Sequence, residues 1–262
     1  MLAEKYFPKG SSQYSSLSNL FKNLDRFSAL NPENWFGVWT MILAGANVSV
    51  HIADRWIYWD WSTFSLLILG ILLLASMWVS RYPGLLQKVD SVKSGLFILL
   101  TGFIFFCLGT IPFGFNSKII LFGLPYFFFF LVAHMTWSLS VDDKNKSVLT
   151  KKQMAPMLSI IIVLSLLCAA IGYLNDDPMI STIAAVYSPF PIVALVFPTA
   201  IRHFQRARMY SVFIPTMFIS VRFPWLLFMV LPLFWILRYY HYFKNGQVKP
   251  SFKVDLPSSM DD

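Results

Sequence analysis

"IILFGLPYFFFFLVAHMTW", residues 119–137, runs for nineteen residues without an Asp, Glu, Lys or Arg. Wound as a helix, a run of that length matches the hydrocarbon thickness of a bilayer. Three other stretches share its character: Phe64–Val79, Leu96–Phe113 and Leu158–Leu174. Across all 262 residues, 56% are hydrophobic and 13% are charged, against roughly a quarter charged in a soluble domain. Twenty-six phenylalanines and a mean hydropathy of +0.60 point the same way. The composition predicts an all-α fold, a polytopic transmembrane helical bundle.

Reading outward from residues 119–137, eight spans are expected, at about 36–52, 62–80, 94–113, 119–140, 157–174, 182–201, 210–221 and 225–241. The seventh is short and holds Pro215, so it reads as a half-helix, or as one element with the eighth across the break at "RFPW". Residues 1–34 form a soluble N-terminal arm with a surface helix around Ser16–Phe27. Residues 35–243 form the transmembrane domain, and 244–262 a polar tail. The arm lacks the apolar core of a cleavable signal peptide, so it is expected to stay on the chain.

Loop charges test this assignment. From the N-terminal arm onward, alternate loops carry four, three, four, three and four Lys or Arg. The loops between them carry one, one, none and one. Basic residues are retained on the cytoplasmic side, so both termini are expected there. The same distribution accounts for the net charge of +8 through attraction to anionic membrane lipids. It excludes a nucleic-acid partner, since the basic residues are spread over several loops. Trp35, Trp56, Trp59, Trp61, Trp78 and Trp137 mark the interfacial belts. Short loops and the missing signal peptide predict a multi-pass protein of a bacterial inner membrane, with an organelle membrane as the alternative.

Chemistry-bearing residues are few. His134 is the only ionisable side chain well inside a span. Such residues mark functional sites when they are not simply bonded to a neighbouring helix. His51, His203 and His241 lie at other depths, so bis-His haem ligation finds no matched pair. The expected spans contain no buried acid for ion coupling, and Asp54, Asp60, Asp176 and Asp177 fall in outer loops. "GYLNDDP" reads as turn chemistry rather than a metal site. Cys107 and Cys168 sit inside apolar spans as buried thiols. Prolines 189, 191, 198, 215 and 232 predict kinks in the later helices. The stretch "VDDKNKSVLTKK" places Asp142 and Asp143 beside four lysines, where the chain leaves the membrane. Two readings compete for it: a metal-diphosphate site, or a solvated loop. Arg202, Arg206 and Arg208, with Lys151 and Lys152, are candidates for a lipid phosphate, because guanidinium geometry matches phosphate.

"NPENWFGVWTMILAGA", residues 31–46, and "RFPWLLFMVLPLFWILRYYHYFKNGQVKPSF", residues 222–252, resemble the first helix and the last helix and tail of the UbiA superfamily of intramembrane prenyltransferases. The resemblance implies a bundle that binds or transfers an isoprenoid, with prenyl transfer as the activity if the chain is an enzyme. It also implies Mg²⁺ held by two Asp-rich motifs at cytoplasmic helix ends. The first motif's place holds only Asp90, and the second's candidates for catalysis and metal are Asp142 and Asp143. On this reading the chain is a divergent or inactive copy, with His134 as a further ligand-site candidate and Phe127–Phe130 lining the lipid cavity. The alternative is a non-catalytic membrane subunit or scaffold that works through helix contacts with membrane protein partners.

Overall fold

Capping residues decide where each apolar run becomes helix. The computed structural model describes residues 5–23, 32–53, 64–139 and 150–201, and positions 228, 239, 242 and 243. Among the described residues there is no strand. The helices are α1 Ser12–Asn23, α2 Pro32–Ile52, α3 Ser65–Arg81, α4 Val92–Thr110, α5 Lys118–Ser138, α6 Lys151–Leu174, α7 Pro178–Tyr187 and α8 Pro189–Val196. Short 3-10 turns follow at Pro83–Leu86, Ile111–Phe113 and Pro198–Ala200.

Five stretches are long and apolar enough to cross a membrane: Trp35–Ile52, Val92–Phe113, Lys118–Ser138, Lys152–Leu174 and Pro178–Val196. The apolar helix α3 is shorter, at 17 residues. These six correspond to the first six expected spans. The seventh and eighth, with Pro215 and Pro232, lie outside the described residues.

Two starts differ from the hydropathy reading for the same reason. α6 begins at Lys151 rather than near 157, because the Gln153 carboxamide oxygen accepts from both the backbone N–H (2.9 Å) and the hydroxyl (3.0 Å) of Thr150. α7 begins at Pro178 rather than 182. The Asp177 carboxylate accepts from the N–H groups of Met179 (3.1 Å) and Ile180 (3.4 Å), and proline fits the first helical position. The expected sixth span is also broken, at Ser188, where Pro189 opens α8. The break falls at one of the prolines for which the sequence predicts a kink.

The described residues fall into two compact units, Glu33–Arg222 and the paired chain ends Met1–Pro32 with Phe223–Asp262. Within the larger unit, α2 is the most enclosed of the five membrane-length helices. Buried residues make up 78% of its apolar window, against 28% for that of α6. Matched polar rungs set the helix directions. Trp39 Nε1 donates to Ser76 Oγ at 2.8 Å, and Trp35 Nε1 to Ser80 Oγ at 2.8 Å. As the partner number rises on α2 it falls on α3, so those two helices are antiparallel. Tyr126 bonds Asp177 and Thr136 bonds Tyr187, both across 51 residues of sequence. α5 and α7 therefore run parallel and in register, as two spans separated by one return crossing must.

Small residues let the backbones meet. A Cβ added to Gly45 of α2 would collide with the carbonyl oxygen of Phe106 on α4, and one on Gly109 of α4 with the carbonyl oxygen of Ile42. Apolar helices gain no hydrophobic drive from meeting in lipid, so close backbone packing at such residues is a principal source of association. Gly102 receives the Phe130 ring, with a hypothetical Cβ 2.7 Å from Phe130 Cδ1. Gly123 in turn receives the Phe106 ring, at 2.8 Å from Phe106 Cζ.

Phe127, Phe129 and Phe130 are buried, and they face other helices. Phe127 meets Phe106 edge-on at 4.8 Å between centroids, and Phe129 meets Tyr187 at 5.2 Å. The aromatic run thus packs the bundle together at these three positions, where the sequence reading expected it to line a lipid cavity. The outward faces are apolar instead: Leu66, Leu73, Leu74 and Met77 on α3, and Ile160, Val163 and Leu167 on α6, are all exposed. Soluble monomers rarely expose apolar patches on this scale.

In the smaller unit, α1 starts four residues before the expected Ser16, because the Ser11 hydroxyl accepts from the Tyr14 N–H at 3.0 Å. Its apolar stripe, Tyr14, Leu17 and Phe21, packs with Phe7 against Tyr242 and Phe243.

Candidate functional site: a buried polar cluster

Among the described residues, Asp177 is the one buried carboxylate, at 6% exposure. Its position follows from local chemistry. α6 ends at Leu174, and the turn closes through Asp177 N–H to Gly172 O at 2.8 Å, with Asp176 in the left-handed region at φ 53°. The carboxylate then caps α7 with one oxygen and accepts the Tyr126 hydroxyl with the other at 2.7 Å. His51, in the last turn of α2, meets the carbonyl of Asn175 through Nε2 at 3.1 Å, and its ring lies 5.9 Å from that of Phe122. Four elements thus converge on one polar turn: α2, α5, α6 and α7.

Burial pushes the Asp177 carboxyl above its ordinary value. The Tyr126 hydroxyl, the Ile180 amide, the nearby His51 and the Met179 amide all pull the other way. The side-chain nitrogen of Asn175 is buried and has no hydrogen-bond partner. The turn therefore offers a donor, and it holds a carboxylate that burial biases toward the neutral form. Such a combination suits a neutral hydroxyl or carbonyl group better than a metal ion. Tyr126 lies eight residues into α5, so the turn meets that helix about 12 Å along its axis from Lys118.

The sequence-derived candidates are distributed differently. Asp142, Asp143, Arg202, Arg206 and Arg208 lie outside the described residues. Lys151 and Lys152 open α6, with Lys152 exposed. His134 lies in the last turns of α5, edge-on to Phe130 at 4.6 Å and bonded to the backbone of Gln87. Its own carbonyl accepts the Ser138 hydroxyl at 2.7 Å, and that hydroxyl oxygen receives the Val89 N–H at 2.6 Å. His134 and Ser138 thus hold the loop between α3 and α4 against the end of α5. Asp90, in that loop, is exposed and accepts from the hydroxyls of Ser94 (2.9 Å) and Ser91 (3.0 Å), which hold its carboxyl below the ordinary value. It braces the start of α4. Among the described residues, no group of three or more His, Cys, Asp or Glu is placed to hold a metal.

Sequence reasoning placed Asp177 in an outer loop. The signal that could have moved it inward was the capping pattern itself: an Asp before Pro at the start of an apolar run marks a helix start. The second interior bond, Thr136 Oγ1 to Tyr187 OH at 2.6 Å, is also buried. Tyr187→Phe is expected to cost about 1 kcal/mol. A double-mutant cycle with Thr136→Val, read by thermal unfolding in detergent, should return a coupling of similar size.

Helices apolar on their outer faces and hydrogen-bonded across their inner ones define a helical integral membrane protein. Comparison of the chain with family models, curated proteins and solved structures returns no match.

Proposed function

We propose that this membrane protein holds a long-chain lipid, an isoprenoid being the class the sequence favours, and is a divergent or inactive relative of the prenyltransferases if it shares their ancestry. The observation that supports the reading is the partly buried polar turn in an otherwise apolar bundle, where Asn175 Nδ2 is a buried donor without a partner, two residues before the buried carboxylate of Asp177. An apolar chain with one polar group matches such a setting, since burying that group costs free energy unless it is hydrogen-bonded. Lipid extracted from protein purified in mild detergent should include one species at near-stoichiometric amount. Asn175→Leu should deplete that species several-fold while leaving bulk phospholipid unchanged, and equal retention by the variant would refute the assignment to this turn.

The acidic pair Asp142 and Asp143 supplies a separate arm. Mg²⁺-dependent binding of a prenyl diphosphate, lost in an Asp142→Ala/Asp143→Ala variant, would make that pair a metal site and the chain a prenyltransferase. Binding indifferent to metal and mutation would make the pair a solvated loop.

A second reading, a non-catalytic subunit or scaffold, is favoured by the use of interior groups. Trp35, Trp39, Thr136 and Tyr187 spend their polar atoms on neighbouring helices, and the buried phenylalanines pack between them. Stoichiometric membrane partners in the same purification, without a retained lipid, would select it.

A further inference from the structure

The two ends of the chain are bonded to each other. Tyr242 OH donates to the Phe7 carbonyl at 2.7 Å, Ser18 Oγ to the Phe243 carbonyl at 2.9 Å, and Tyr14 OH to the Tyr242 carbonyl at 3.3 Å. Around these bonds the rings interlock. Phe21 stacks on Phe243 at 5.2 Å, Phe7 meets Phe243 edge-on at 5.7 Å, and Tyr14 meets Tyr242 edge-on at 5.5 Å. Tyr242 is 1% exposed and Phe243 3%, although both lie near a chain end. The helix that covers them, "SQYSSLSNLFKN", is too polar to lie in hydrocarbon. Ser12, Ser15, Ser16 and Asn19 are exposed to solvent, while Ser18 turns its hydroxyl to the Phe243 carbonyl.

We propose that α1 is a strap that pins the C-terminal Tyr242–Phe243 pair to the membrane face from which the chain starts. A polar helix cannot reach that pair through a bilayer, because its unpaired polar groups would each cost several kcal/mol in hydrocarbon. α1 and the Tyr242–Phe243 pair therefore share one side, and the chain crosses an even number of times between them. Six crossings, α2 through α8 with α7 and α8 counted as one, return the chain to its starting side by Ile201. An odd number of crossings between Ile201 and Tyr242 would separate the bonded segments. These hydrogen bonds and ring contacts are independent of the distribution of basic residues.

Two single-cysteine variants test the topology. Gln13→Cys on α1 and Asn245→Cys beyond the strap are labelled with a membrane-impermeant maleimide, in right-side-out and in inverted vesicles. The native cysteines lie within spans, and the unsubstituted protein serves as the blank. Both positions should label in the same vesicle type, and labelling in opposite types would overturn the proposal. The strap itself is read by trypsin cleavage at Lys22 in the vesicle type that exposes it. Tyr242→Ala/Phe243→Ala should speed cleavage by about tenfold, the factor expected from losing roughly two aromatic contacts. Gln13→Ala should leave the rate unchanged. Ser18→Ala, which removes one hydrogen bond and little volume, should give a smaller increase and serves if the double variant does not accumulate. Same-side labelling with cleavage unaffected in both strap variants would remove the strap.

Discussion

Gly109→Ala is expected to lower the melting temperature of the detergent-solubilised protein by about 6–12 °C, and Gly109→Leu to prevent its accumulation. The reason is the identity of the atom that would be struck. The new Cβ would run into the backbone carbonyl of Ile42 and approach the Ala46 nitrogen at 3.1 Å. A side chain in that position could rotate away, but a helix backbone moves only if the whole of α2 shifts. α2 is the most enclosed of the five membrane-length helices, so its displacement disturbs neighbours on every side. Overpacking of a core costs roughly 1–3 kcal/mol, and the upper end applies where backbone meets backbone. At about 2–4 °C per kcal/mol for a chain of this size, the stated shift follows. Gly45→Ala should behave alike, since its Cβ would strike the carbonyl of Phe106. Gly70 on α3 provides the control. Nothing lies within 4 Å of its Cβ position, so Gly70→Ala should be neutral or stabilising by up to about 1 kcal/mol. Equal loss from all three alanines would mean that general helix effects, and not the close approach, set the stability.

Asp177→Ala is expected to have the next largest effect, a loss of roughly 2–4 kcal/mol. About 1 kcal/mol comes from removing the cap of α7, and about 1–3 kcal/mol from leaving the buried Tyr126 hydroxyl without its acceptor. Asp177→Asn retains an amide oxygen for the cap and a polar partner for Tyr126, so it should lose about 1 kcal/mol or less. The two variants also separate by pH. The folded carboxyl titrates above its ordinary value of 3.8 because burial disfavours the charge. A raised acid binds more protons when folded. Its contribution is therefore fully present below the ordinary value and is lost as pH rises through the folded one. The wild-type protein should gain stability relative to Asp177→Asn as pH falls through that window. Melting curves of the two proteins between pH 4 and pH 8 give the difference directly, and a difference that stays flat would mean the carboxyl is solvated after all.

Apolar run length was enough to find the six described apolar stretches, five of them of membrane-crossing length, because burying or lipid-solvating so long an apolar run outweighs most local preferences. Helix ends were less legible. Thr150 with Gln153 and Asp177 with Pro178 moved two starts outward by several residues, through hydrogen bonds that hydropathy averages do not register. The burial of Asp177 was hidden for a related reason. A polar triplet between two spans reads as a water-facing turn, and only the Tyr126 hydroxyl from another helix brings it inside. The glycine contacts were equally silent, since Gly45 and Gly109 come from helices far apart in sequence and neither forms a local motif with the other. His134 was legible as a singular residue, and its bond to the Gln87 backbone is of the ordinary structural kind weighed for it, although the partner belongs to a loop rather than a helix.

The two interior bonds that share an offset of 51 residues act together as a keyed joint. Ten residues separate Tyr126 from Thr136, and ten separate Asp177 from Tyr187, so the keys stand about 15 Å apart on both members. Sliding one helix past the other withdraws both keys at once, and rotating it does the same. One residue inserted between Tyr126 and Thr136 would turn the far key by about 100° and leave the joint half engaged. Chain length is thus fixed within the keyed segments, and a scan of single-residue insertions through Tyr126–Thr136 and Asp177–Tyr187 should lower the melting temperature at each position.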